Sequence, residues 1–190
     1  MEITIDNKIR TKYGNGLRRT KDVSTVVIHG TAGGGTYNYI LNNIPRAGQY
    51  KKSIGLFHYL IERSGQTIEI ISPDNWTYHS HSNYFDEETI GIELVNMTAD
   101  NSGFITDMQY SSLFRLIIDN LFPQYPIDDI VGHSYLYEKY MRKVKTDPPC
   151  PGKGFGWTKL ETELADYGFV FKSVLGGIFN IKFEDEVTND

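Results

Sequence analysis

At 190 residues the chain is long enough for one domain with a full hydrophobic core and short for two. Hydrophobic content of 39% and charged content of 23% are those of an ordinary globular protein, and a net charge of -5 offers no basic face for nucleic acid. Cys150 is the single cysteine, so no internal disulfide is available and the fold does not depend on an oxidising compartment.

The opening MEITIDNKIRTKYGNG is polar and lacks the apolar core of a secretion signal. No apolar run approaches the ~18 residues needed to cross a bilayer. Cytoplasmic synthesis is therefore expected, with release by another agent if the protein acts outside. Residues 1–23 read as an N-terminal extension, 24–172 as the domain and 173–190 as a C-terminal extension. In that last stretch IFNIKF could add a strand, and the acidic end is expected to be loose.

Ser24 to His29 is a β-branched run ending at Gly30, which reads as a buried strand. The glycines at 33–35 make the next stretch a loop. They lack the Gly-Lys-Ser/Thr ending of a nucleotide-binding loop, and nucleotide binding is rejected. Phe57 to Glu62 and Thr67 to Ile71 form a hairpin turning at Ser64-Gly65. Ile90 to Val95 is a further central strand. Thr106 and Gln109 have capping-box spacing, with Leu113, Leu116, Ile117 and Leu121 following at helical intervals until Pro123. Ser134 to Lys143 (SYLYEKYMRK) reads as a positive, tyrosine-rich loop. A second capping pattern at Thr158 and Glu161 opens a helix that buries Leu160 and Leu164 and stops at Gly168. This order predicts an α/β fold: a single domain with a central mixed β-sheet flanked by helices.

A lone histidine is ordinarily a packed or surface residue. His29 and His133 stand apart because each closes an apolar strand beside a glycine, where rigid scaffolds present functional side chains. The stretch KTDPPCPG (Lys145 to Gly152) adds two further donors, Asp147 and Cys150, three apart in a proline-stiffened loop. Two histidines with a carboxylate or thiolate make three ligands, and a catalytic zinc keeps its fourth position open.

Seven segments carry a resemblance: VVIHGTAG (26–33), FHYLIERSGQ (57–66), YHSHS (78–82), TIGIEL (89–94), ITDMQ (105–109), VGH (131–133) and KTDP (145–148). In this order, over roughly residues 24–167, they resemble the zinc amidases that cleave peptidoglycan between N-acetylmuramic acid and L-alanine. Phage lysins and bacterial wall-recycling enzymes belong to that family, and animal peptidoglycan recognition proteins share its fold.

The resemblance implies zinc as cofactor and peptidoglycan or a muropeptide as partner, in a chain expected to be monomeric. It makes His29 and His133 the zinc histidines, Asp147 the third ligand with Cys150 as the alternative, and Lys145 a catalytic cation. Glu93 matches the catalytic glutamate of the recycling enzymes. The phage branch uses a tyrosine where this chain has Phe57, which leaves Glu93 as the base. His79 matches a position lining the substrate groove, and Trp76 and Tyr78 nearby offer flat surfaces to sugar rings. His58 reads as a packed residue and His81 as a loop residue. Two other readings remain: a peptidoglycan-binding module of the same fold without catalysis, and a nucleophilic hydrolase using Cys150.

Overall fold

The computed structural model describes residues 2–5, 17–18, 22–33, 57–80, 82–98, 102–140, 150–174 and 176–184, with the backbone alone at 83 and 137–140. Eight strands form one mixed sheet: β1 (Ile3–Ile5), β2 (Thr25–Gly30), β3 (Tyr59–Ile61), β4 (Thr67–Glu69), β5 (Thr89–Leu94), β6 (Asp129–Gly132), β7 (Phe169–Val174) and β8 (Gly177–Phe183). Their spatial order is β1-β4-β3-β5-β2-β6-β8-β7. The four central strands β3, β5, β2 and β6 run parallel; β4 is antiparallel to β3 and parallel to β1, and β8 is antiparallel to both β6 and β7. Among the described residues four α-helices accompany the sheet: α1 (Asn83–Glu88), α2 (Asp107–Arg115), α3 (His133–Tyr140) and α4 (Trp157–Asp166). The expected α/β architecture is the one observed, and among the described residues no helix is long and apolar enough to cross a membrane.

Alternation along β2 divides its side chains between the two faces. Val26 and Ile28 enter the main core with Ile90, Ile92, Leu113, Leu160 and Leu164, whereas Val27 packs on the other face with Val131 and Leu136. His29 shares the Val27 face. So do Thr89, Gly91 and Glu93 of β5, because the register sets Thr25 opposite Thr89, Val27 opposite Gly91 and His29 opposite Glu93.

The capping box at Thr106 forms as its spacing predicts, the Thr106 hydroxyl accepting from Gln109 N and the Gln109 carboxamide accepting from Thr106 N. The Gln109 amide also donates to the carbonyls of Ile61 and Val95 at 3.1 and 3.0 Å, so the cap staples α2 to β3 and the end of β5. Beyond Arg115 the helix widens into a π-helical stretch, Leu116–Leu121.

Two sequence expectations are corrected. The segment from Ser134 is not a loop but enters α3, because Leu136 is buried against Val27 and Val131 while Tyr135 packs on Phe179. Residues 141–143 lie outside the described residues. The helix at 157 starts one residue before Thr158, with Gly156 at its cap and no side-chain capping bond. Tertiary contacts set that start: the Trp157 ring meets Phe155 at 4.7 Å, and Gly156 N donates to the Tyr110 hydroxyl. The expected strand at IFNIKF is β8; β1 and β7 had no counterpart in the sequence reading.

Candidate metal centre

Three parallel strands deliver the site at their carboxyl ends, the usual place for ligands in such sheets. His29 is the penultimate residue of β2, Glu93 the penultimate residue of β5, and His133 follows directly on β6. The His29 and His133 rings lie 4.5 Å apart between centroids.

Cys150 completes the group. Its backbone is clamped to the start of α3, Cys150 N donating to the Ser134 hydroxyl at 2.6 Å and Ser134 N donating to the Cys150 carbonyl at 2.9 Å. Gly132 makes the approach possible, since a Cβ there would stand 2.9 Å from Pro151 Cδ. The thiol sulfur accepts from Gly30 N at 3.4 Å and lies 3.8 Å from His29 Nδ1.

The ligand atoms of His29, His133 and Cys150 all lie within 4.8 Å of one another. A tetrahedral zinc with bonds of about 2.0–2.3 Å sets its donors roughly 3.3–3.6 Å apart, so small side-chain adjustments accommodate it. Two imidazoles and one thiolate are also a donor set that zinc accepts. The residues fit the ion. Asp147 and Lys145 lie outside the described residues, as does His81.

Glu93 is the one position of β5 that keeps partial access to solvent. Burial pushes its carboxyl up to about 8. Burial also pushes the Cys150 thiol up to about 12, with the Glu93 charge adding to the effect and the Gly30 N–H opposing it. Metal binding at this site must therefore expel the thiol proton.

His79 and His58 sit beneath the ligands. His79 is buried, with Nδ1 at 3.2 Å from His29 Nε2 and Nε2 at 3.0 Å from the Thr89 hydroxyl. His58 is packed, as its place in an apolar strand suggested. Its Nδ1 accepts from Gly91 N at 2.9 Å, which leaves the proton on Nε2 to be donated to the Asn75 carbonyl at 2.9 Å. Burial, then the nearby Arg18 charge, holds His58 neutral, well below its usual range. Arg18 is fastened by bonds to the carbonyls of Thr89 and Pro73 at 2.6 and 2.8 Å, and burial lowers it to about 10.

Trp76 and Tyr78 touch each other at 5.0 Å between ring centroids. Trp76 faces a cavity of about 480 Å³ lined also by Leu17, Arg18, Asp22, Glu87 and Glu88. Arg18 in that cavity reaches the Thr89 carbonyl, at the end of β5 remote from Glu93. The described contacts thus bring His79 to the donor group and leave Trp76 at the opposite end of the strand.

A family model described as N-acetylmuramoyl-L-alanine amidase matches residues 19–153. The chain belongs to this amidase family.

Its fold recurs in solved structures of related proteins. The N-acetylmuramoyl-L-alanine amidase LysC from Clostridium intestinale URNW is 20% identical with a TM-score of 0.62, over 87% of this chain and 98% of that one. The N-acetylmuramyl-L-alanine amidase AmiD from E. coli, solved with anhydro-N-acetylmuramic acid-L-Ala-D-gamma-Glu-L-Lys, is 18% identical with a TM-score of 0.57, over 76% and 58%. PGRP-SA from Apis mellifera is 14% identical with a TM-score of 0.57, over 84% and 94%. At these identities the likeness is one of fold. No curated protein sequence matches the chain.

Proposed function

We propose that this amidase-family protein is a zinc hydrolase that cleaves the amide between N-acetylmuramic acid and L-alanine, in the manner of a phage endolysin or bacterial wall hydrolase. The observation that carries the reading is the convergence of His29, His133 and Cys150 within 4.8 Å, with the register partner of His29 being Glu93. That proximity favours Cys150 as the third ligand.

A zinc ion held by these donors supplies an acidified water and polarises the scissile carbonyl. The Glu93 carboxylate takes the proton released as the water oxygen bonds to the carbonyl carbon. It then returns that proton to the L-alanine nitrogen as the C–N bond breaks. Lys145, two residues before Asp147 in the segment leading to Cys150, supplies a cation to the oxyanion. The products are a muramic-acid carboxylate and a peptide with a free N-terminus.

The test uses a purified muropeptide and follows the appearance of the new L-alanine amine. Release that stops with a chelator and returns with zinc is the expected result. Binding of the muropeptide without amine release at full zinc occupancy overturns the enzyme reading and leaves a binding module. Release that ignores chelators but stops on thiol alkylation assigns the chemistry to a Cys150 nucleophile instead.

A further inference from the structure

We propose that His79 is a positioning residue for the metal centre: it holds His29 as the Nε2–H tautomer, with the Nδ1 lone pair turned toward Cys150. This rests on the zinc reading above, and adds an outer partner that selects which nitrogen of His29 can bind metal.

The order of donors fixes the argument. The Thr89 hydroxyl lies 2.6 Å from the Phe85 carbonyl oxygen, which can only accept, so the hydroxyl hydrogen is committed there. His79 Nε2, 3.0 Å from the same hydroxyl oxygen, must then be the donor. A neutral imidazole carries one N–H, so His79 Nδ1 presents a lone pair. His29 Nε2 is 3.2 Å from that lone pair and must donate its hydrogen to it. The remaining nitrogen of His29 is Nδ1, which faces Cys150 Sγ at 3.8 Å. Every bond in the series Phe85–Thr89–His79–His29 runs in one direction, and it ends on a nitrogen able to ligate. A metal-binding histidine generally donates its other ring N–H to a carboxylate, carbonyl or water; here an imidazole takes that place.

The packing around His79 is built to hold this geometry. A Cβ on Gly91 would stand 2.7 Å from both Cγ and Nδ1 of His79, so the ring lies directly on the strand backbone where only glycine leaves space. The main chain is anchored as well: Asp86 Oδ1 accepts from His79 N at 3.0 Å and from Ser80 N at 2.8 Å. Ring and backbone are thus held by separate elements, β5 and α1. A residue that only filled space would not need its two nitrogens aligned on Thr89 and His29.

The direct test is nitrogen NMR of the zinc-loaded wild type, reading the His29 tautomer and the N–N scalar coupling across the His29–His79 hydrogen bond. A proton on His29 Nε2 coupled to His79 Nδ1 is expected. A proton on His29 Nδ1, in protein that holds zinc, overturns this proposal and leaves the amidase reading standing. Failure of the wild type to bind zinc overturns both.

Variants supply a second readout. His79→Leu removes the acceptor and is expected to weaken zinc affinity, measured by chelator competition, about 10- to 100-fold. His79→Asn keeps an acceptor oxygen near the Nδ1 position and is expected to recover much of that loss. Unchanged affinity in folded His79→Leu also overturns the proposal. If His79→Leu does not fold, the wild-type tautomer decides alone.

Discussion

His29 and Glu93 are register partners on neighbouring parallel strands, and their side chains leave the sheet on the same face. Strand spacing of about 4.8 Å therefore sets the separation of ligand and carboxylate at the backbone level. A loop-borne base would need separate support to hold that relation. Here the hydrogen-bonded ladder of β2 and β5 supplies it.

The first prediction concerns the third ligand. Cys150→Ala is expected to abolish stoichiometric zinc, whereas Asp147→Ala retains it. Elemental analysis of both variants beside the wild type reads the outcome. Zinc lost from Asp147→Ala and kept in Cys150→Ala reverses the assignment.

Glu93→Gln is expected to keep zinc and lose turnover by about 100- to 10,000-fold, the usual range for removing a general base. The substitution preserves the shape of the side chain, so KM for a muropeptide should change far less than kcat. Steady-state kinetics on the zinc-loaded variant checks this. A large KM change with kcat preserved assigns Glu93 to substrate binding instead.

Glu93 also predicts how the metal-free protein responds to pH. Its carboxyl is raised from an ordinary 4.5 to about 8 in the folded state. Below about 4.5 the group is protonated whether folded or not, and it contributes nothing. Between about 4.5 and 8 the folded chain retains a proton that the unfolded chain has released, so this group's contribution to stability falls as pH rises. Above about 8 the penalty is complete. Metal-free Glu93→Gln should therefore gain Tm over the wild type progressively from pH 5 to pH 8, by several degrees at the upper end. A Tm difference independent of pH contradicts the assignment.

The α2 cap makes a stability prediction away from the site. Gln109→Ala loses half of the capping box and leaves the Val95 carbonyl without its amide partner. The expected cost is about 2–3 kcal/mol, or roughly 5–10 °C in Tm, against about 1 kcal/mol for Thr106→Ala. Thermal unfolding of the two variants compares them directly.

What could be read from the sequence was carried by local signals. β2 and β5 are dense runs of β-branched and aliphatic residues; the Ser64-Gly65 turn and the Thr106/Gln109 cap are short-range patterns, and each takes its expected form. β7 was hidden because an edge strand with alternating half-exposed residues carries little apolar weight. α3 was hidden because burial of Leu136 depends on β2 and β6 rather than on its own neighbours. At the site, the strand-end positions of His29 and His133 are visible in sequence. The closeness of Cys150 is not, since it depends on where the chain returns after α3 and on the space at Gly132. The bond between His29 and His79 spans 50 residues. Its only sequence trace is Gly91, a glycine inside a buried strand, which commonly marks a close approach by another group.

The position of β8 has a consequence for how the protein is made. β6, which leads into His133, lies between β2 and β8, and β8 comes from the far end of the described chain. Until residues 177–183 emerge from the ribosome, β6 has one unsatisfied edge, the kind of surface that recruits strands from other molecules. Synthesis therefore leaves this strand exposed to mispairing until β8 has emerged, and its outer edge is sealed only when that strand docks.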